Sequence, residues 1–231
     1  MAAPRVERGR LAFDGQFWGL SNRWSASLLT APFVGAALFG LVALVPGLYN
    51  ALVREDSVLE SLQFIAYAAA TALAAGVSWR LWRTGRRGPG ALFFLFACCC
   101  LFAAGEEISW GQRLLGFGTS EEVAAVNGQE ELNVHDVVEV QGKFNLGLAL
   151  ASLYGLATPW LVRRPVLAVP PIALGGAFLA MLVYISARAE FFPHPGHELA
   201  KFSEWPETCF ALALALAVFA LLAWRRVDAG Q

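Results

Sequence analysis

The chain has 231 residues, of which 57% are hydrophobic and only 15% charged, with a formal net charge of −1. Soluble domains carry about 25% charged residues, so this composition argues against a soluble domain. With 17 basic and 18 acidic residues in balance, nothing suggests nucleic-acid binding. The class that fits is all-α: a polytopic transmembrane helical bundle whose first partner is the lipid bilayer.

Residues 1–26 lack the apolar core and small-residue cleavage site of a secretory signal, so the first span is expected to act as its own signal. Within this cytoplasmic segment Phe13, Phe17, Leu20 and Trp24 recur at helical spacing with arginines nearby, which suits a short helix lying in the membrane interface. The transmembrane domain is expected over 27–226. A hydrocarbon core of about 30 Å takes roughly 20 apolar residues to cross, and stretches of that kind fall at 27–49, 58–82, 90–112, 144–162, 166–188 and 204–224. The fifth carries Pro170 and Pro171 at its start, which membrane helices tolerate.

Cytoplasmic loops retain Lys and Arg. With both termini inside, Arg5, Arg8, Arg10, Arg23, Arg80, Arg83, Arg86, Arg87, Arg163, Arg164, Arg225 and Arg226 lie on the inner side, 12 of the 17 basic residues. Outer connections are then 116–143 and 189–203, and 15 of the 18 acids lie on or near that side. The expected location is a bacterial inner membrane, crossed about six times. Cys98, Cys99, Cys100 and Cys209 fall within spans and read as small packing residues. The chain contains no C-x-x-C, phosphate loop, nucleophile elbow or internal repeat.

In chain order the first polar feature is "REDSVLESLQFIAY", where Asp56, Glu60, Gln63 and Tyr67 form one polar stripe at the outer end of the second span. The second is "FAAGEEISWGQRLLGF". At 1.5 Å per residue from Gly90, Glu106 stands about 24 Å from the inner edge, still within the outer leaflet. Ionisable groups at that depth face a bundle interior or a wet cavity and find partners. Helical spacing places Glu106, Ser109 or Trp110, and Arg113 on one stripe that faces the polar side of the second span, with Glu107 at its rim. A structural ion pair with Arg113 or Arg188 is the alternative to a functional site.

The outer connection "NGQEELNVHDVVEVQGKFN" adds Asn133, His135 and Asp136, and "FFPHPGHE" adds His194 and His197. These residue types suit a divalent metal such as zinc, or acid–base work. The sixth span opens "KFSEWPETC", with Ser203 as a helix cap and Glu204 and Glu207 in the first turn.

The run "GEEISWGQR" followed by N-x-Q-E-x-x-N-x-H resembles an uncharacterised family of bacterial polytopic membrane proteins over about residues 102–136. That resemblance implies a bacterial integral membrane protein and no particular activity. A fainter similarity is to the alkaline ceramidase-like membrane hydrolases, which hold zinc with His, Asp and Ser. This chain departs from them: it lacks paired histidines in its last span and an early helix bearing Ser and His together, and it has six expected spans where that group has seven.

Two functions stand open, so the sequence alone leaves enzymatic activity undecided. One is a metal-dependent hydrolase or transferase acting on a lipid-linked substrate at the outer leaflet. Its catalytic residues would be Glu106, Glu107 and His135, with His135, His194 and His197 as metal ligands. The substrate would be held by Asp56, Glu60, Gln63, Trp110, Arg113, Asn133, Asp136 and Glu207. The other is a non-enzymatic membrane component that binds a cation, a lipid headgroup or a protein partner through the same acidic surface.

Overall fold

The computed structural model describes residues 18–53, 57–120, 138–162, 169–191 and 201–228, and every regular element among them is helical. The long helices are α1 (Asn22–Val42), α3 (Val58–Arg83), α4 (Arg87–Glu107), α5 (Val138–Leu161), α6 (Gly175–Phe191) and α7 (Glu204–Asp228), with the short α2 (Pro46–Val53) between α1 and α3. Five segments are long and apolar enough to cross a membrane: Asn22–Val42, Pro46–Arg83, Arg87–Glu107, Ile172–Ala189 and Lys201–Ala223. The exterior of the bundle is correspondingly greasy, with Leu38, Leu92, Leu95, Leu146 and Phe219 all exposed. In water such a surface would drive aggregation, whereas lipid accepts it.

Several element ends differ from the expected spans, each for a local reason. The first span begins at Asn22, because the Ser21 side chain accepts from the Trp24 amide at 3.3 Å and caps the helix. It stops at Val42, not residue 49. Pro46 disfavours helical backbone at Val45, and as the first residue of α2 it restarts the helix. The third span ends at Glu107, before the expected 112, where the backbone of Ser109 and Trp110 turns left-handed at φ 47° and 54°. Pro170 and Pro171 precede the fifth span, which begins with a 3-10 turn at Ile172–Leu174. The connection expected to run to residue 143 ends early, because α5 begins at Val138. The interfacial helix expected at the N-terminus, apart from Leu20 and Trp24, lies outside the described residues.

Packing joins the helices into one bundle. The α3–α4 hairpin is the most extensively packed pair, α7 lies against α3, α5 against α6, and α1 and α7 both touch α6. Small residues make the central contacts possible: Ala66, Ala70 and Ala74 recur every fourth residue on α3, opposite Ala97, Cys100 and Ala104 of α4 and Ala211 of α7. Without a hydrophobic drive between helices in lipid, such close van der Waals contact is what holds them. Gly176 has the same use, since a Cβ there would run into the Leu29 backbone of α1. Cys98 and Cys99 are exposed, Cys100 and Cys209 buried, and all four are free thiols.

The two ends of the bundle carry opposite charge. Arg80, Arg83, Arg86 and Arg87 flank the α3–α4 turn, with exposed Trp79 and Trp82 nearby, an arrangement found where helices leave a membrane. At the other end α3 begins with Glu60, α4 finishes with Glu106 and Glu107, and α7 begins with Glu204 and Glu207.

Candidate functional site

The acidic end converges because three helix termini meet there. Ser57 caps α3 by accepting from the Glu60 amide at 3.2 Å, which fixes the register that turns Gln63 and Tyr67 toward α7. Gln63 is fully buried. Its Nε2 donates to the Glu204 carbonyl at 3.1 Å, to Glu204 Oε2 at 3.0 Å and to Thr208 Oγ1 at 3.1 Å. Thr208 in turn donates its hydroxyl to the Glu204 carbonyl at 2.7 Å. The amide therefore ties α3 to the first turn of α7 across 141 residues of sequence. Its Oε1 is buried without a hydrogen-bond partner among the described residues.

Glu204 belongs to a set of four carboxyl groups from three helices that sense one another. Glu107 lies within electrostatic reach of Glu207, Glu204, Glu60 and its neighbour Glu106. Glu204 interacts with Glu207 and Glu60, and with the Lys201 ammonium. The Tyr67 hydroxyl senses Glu107 and Glu207. Tyr184 of α6 hydrogen-bonds with Ser203 and Arg188 and also interacts with Glu207. Four like charges held together at the edge of a low-dielectric bundle repel strongly unless positive charge joins them.

Glu106 sits differently. Its carboxylate is 2% exposed and accepts from Trp110 Nε1 at 2.7 Å. The left-handed turn after Glu107 makes that bond possible by folding the indole back over Gly105, where any Cβ would press on the ring. L-residues in this region cost roughly 1–2 kcal/mol each, so the turn is maintained by its contacts. Phe102 adds an edge-on ring contact to Trp110 at 5.6 Å between centroids. Next along the chain, Gln112 Nε2 donates to Thr119 Oγ1 at 2.6 Å and pins the following loop.

The expectation of one helical stripe through Glu106, Trp110 and Arg113 is therefore corrected: the helix ends at Glu107, and Trp110 reaches Glu106 through a turn. Of the expected pair, Glu107 lies within electrostatic reach of the acids of α3 and α7. Glu60, Gln63 and Glu207 come together with it, and Trp110 stands beside them through Glu106. Asp56, Asn133, His135, Asp136, His194 and His197 lie outside the described residues, as does the side chain of Arg113. Among the described residues no three His, Cys, Asp or Glu side chains are grouped to hold a metal ion.

Glu204, Thr208 and Tyr67 join the site beyond the residues expected for it. Their signal is present in part: Glu204 and Thr208 are four apart in a first helical turn, and Tyr67 continues the stripe of Glu60 and Gln63. Compared with known proteins, the chain matches no family model, no curated protein and no solved structure. Any assignment of activity rests on this geometry.

Proposed function

We propose that the protein is a six-span bacterial inner-membrane component, with both termini cytoplasmic, that binds positive charge at the outer leaflet through Glu60, Glu107, Glu204 and Glu207. The bound charge is protons shared among the carboxyls, or a small cation held by no more than two of them together with the Gln63 amide oxygen, since no three are grouped to hold a metal ion among the described residues. The observation that carries this reading is Gln63: a fully buried amide commits its donors to Glu204 and Thr208 and leaves Oε1 with no donor among the described residues, beside one carboxyl of an acidic cluster. A cation or a carboxylic-acid proton supplies what both the amide oxygen and the carboxylates need. The hydrolase reading depends on His135, His194 and His197, outside the described residues, so the carboxyl–amide cluster favours the binding role.

The sixth crossing is α5, whose 24 residues span about 36 Å at 1.5 Å per residue. Even crossings return both termini to one side, and the arginine-rich end is the cytoplasmic one by the basic-residue rule. The GEEISWGQR resemblance is what points to a bacterial membrane.

The test is calorimetric titration of detergent-purified protein with sodium, magnesium and calcium chlorides at constant ionic strength, with dye-monitored proton exchange in the same samples. Wild type is expected to bind one of these cations or to exchange protons on titration, and Glu107→Gln to lose most of that signal. Equal titrations for wild type and the Glu60→Gln/Glu107→Gln double variant would remove the acidic cluster as a site.

A further inference from the structure

A second feature lies far from the acids, in the half of the bundle nearest the arginines. Where α5 leans on α6, it stands off from α4, and the gap is a cavity of about 470 Å³. Leu92, Phe93 and Phe96 of α4 face Ala151 and Tyr154 of α5 across it, and Val218 of α7 forms part of its wall. The lining is almost wholly apolar, and the volume falls within the roughly 300–1,000 Å³ typical of small-molecule pockets. Leu92 is 66% and Tyr154 48% exposed, so the cavity opens sideways to whatever surrounds the bundle.

The charge at its mouth selects among hydrophobic occupants. Arg86 precedes Phe93 by seven residues, two helical turns, and both Arg86 and Arg87 are exposed. The stretch 80–100, which covers the α3–α4 turn and the lining part of α4, holds four arginines and no acid. An anionic group beside this stretch would therefore meet attraction and no carboxylate from it.

We propose that this cavity seats an acyl chain of an anionic phospholipid from the leaflet at the arginine-rich end, with the lipid phosphate against Arg86. An acyl chain matches the apolar lining, and a phosphate matches the guanidinium, which binds such oxygens in a two-pronged fashion. The bound lipid fills the space that α5 leaves beside α4.

Native mass spectrometry of the full chain in detergent tests this, with phosphatidylglycerol or phosphatidylcholine of the same acyl composition added. Wild type is expected to retain phosphatidylglycerol in preference to phosphatidylcholine. Arg86→Gln should cut that preference by about fivefold, the weight of one basic residue near an anionic surface. Ala151→Phe, which fills the cavity from an exposed position, should reduce retention of both lipids. Equal retention of the two lipids by wild type, or unchanged retention in Ala151→Phe, overturns the proposal. So does a wild-type dimer that Ala151→Phe dissociates, because the cavity is then covered by a second copy.

Discussion

The two ends of the bundle handle charge in opposite ways. At the basic end Arg80, Arg83, Arg86 and Arg87 are all exposed, and the buried polar contact beside them is a neutral one, Ser78 Oγ donating to the Gly90 carbonyl at 2.8 Å. At the acidic end Glu106 and Glu204 are buried, Glu60, Glu107 and Glu207 are half-buried, and a fully buried amide lies among them. Charge at the first end stands on exposed positions around a helix–helix turn. Charge at the second is positioned by contacts between helices, which is the arrangement a binding site requires and a topology signal does not.

Substitutions can break that contrast. The largest effect is expected for Gln63→Leu, which removes three donor contacts and leaves Glu204 Oε2 buried without its amide partner. A loss of about 2–3 kcal/mol follows from leaving a buried acceptor without its donor, measured by denaturant unfolding in detergent. Trp110→Phe keeps an aromatic ring beside Phe102 but deletes the indole donor to Glu106. Its expected cost in the same unfolding measurement is about 1.5–2 kcal/mol.

At the basic end the expected costs shrink. Ser78→Ala removes one neutral hydrogen bond, worth about 1 kcal/mol. Arg83→Gln, at an exposed position, should change stability by less than about 0.5 kcal/mol. If Arg83→Gln costs as much as Gln63→Leu, the contrast between the ends is wrong.

Much of this arrangement is legible in the sequence. The stripe of Glu60, Gln63 and Tyr67 follows from helical period alone, and the run from Leu92 to Ala104 announces α4 by its length without charge. What periodicity cannot supply is the partner on another helix. Glu204 and Thr208 lie 141 and 145 residues from Gln63, and their meeting depends on how α3 and α7 cross. The break after Glu107 is hidden as well, because only Gly111 marks it, while the left-handed residues are Ser109 and Trp110, types that rarely adopt that backbone. A helical stripe drawn through Arg113 therefore runs past the true end of the helix.

Whether carboxyls from separate helices act as one site is decided by a double-mutant cycle between Glu107→Gln on α4 and Glu204→Gln on α7. Unfolding free energies of wild type, both single variants and the double variant are compared in one detergent at one pH. A coupling of at least about 0.5 kcal/mol between the two positions is expected. Additivity within about 0.3 kcal/mol would mean that the two carboxyls do not sense one another and form no shared site.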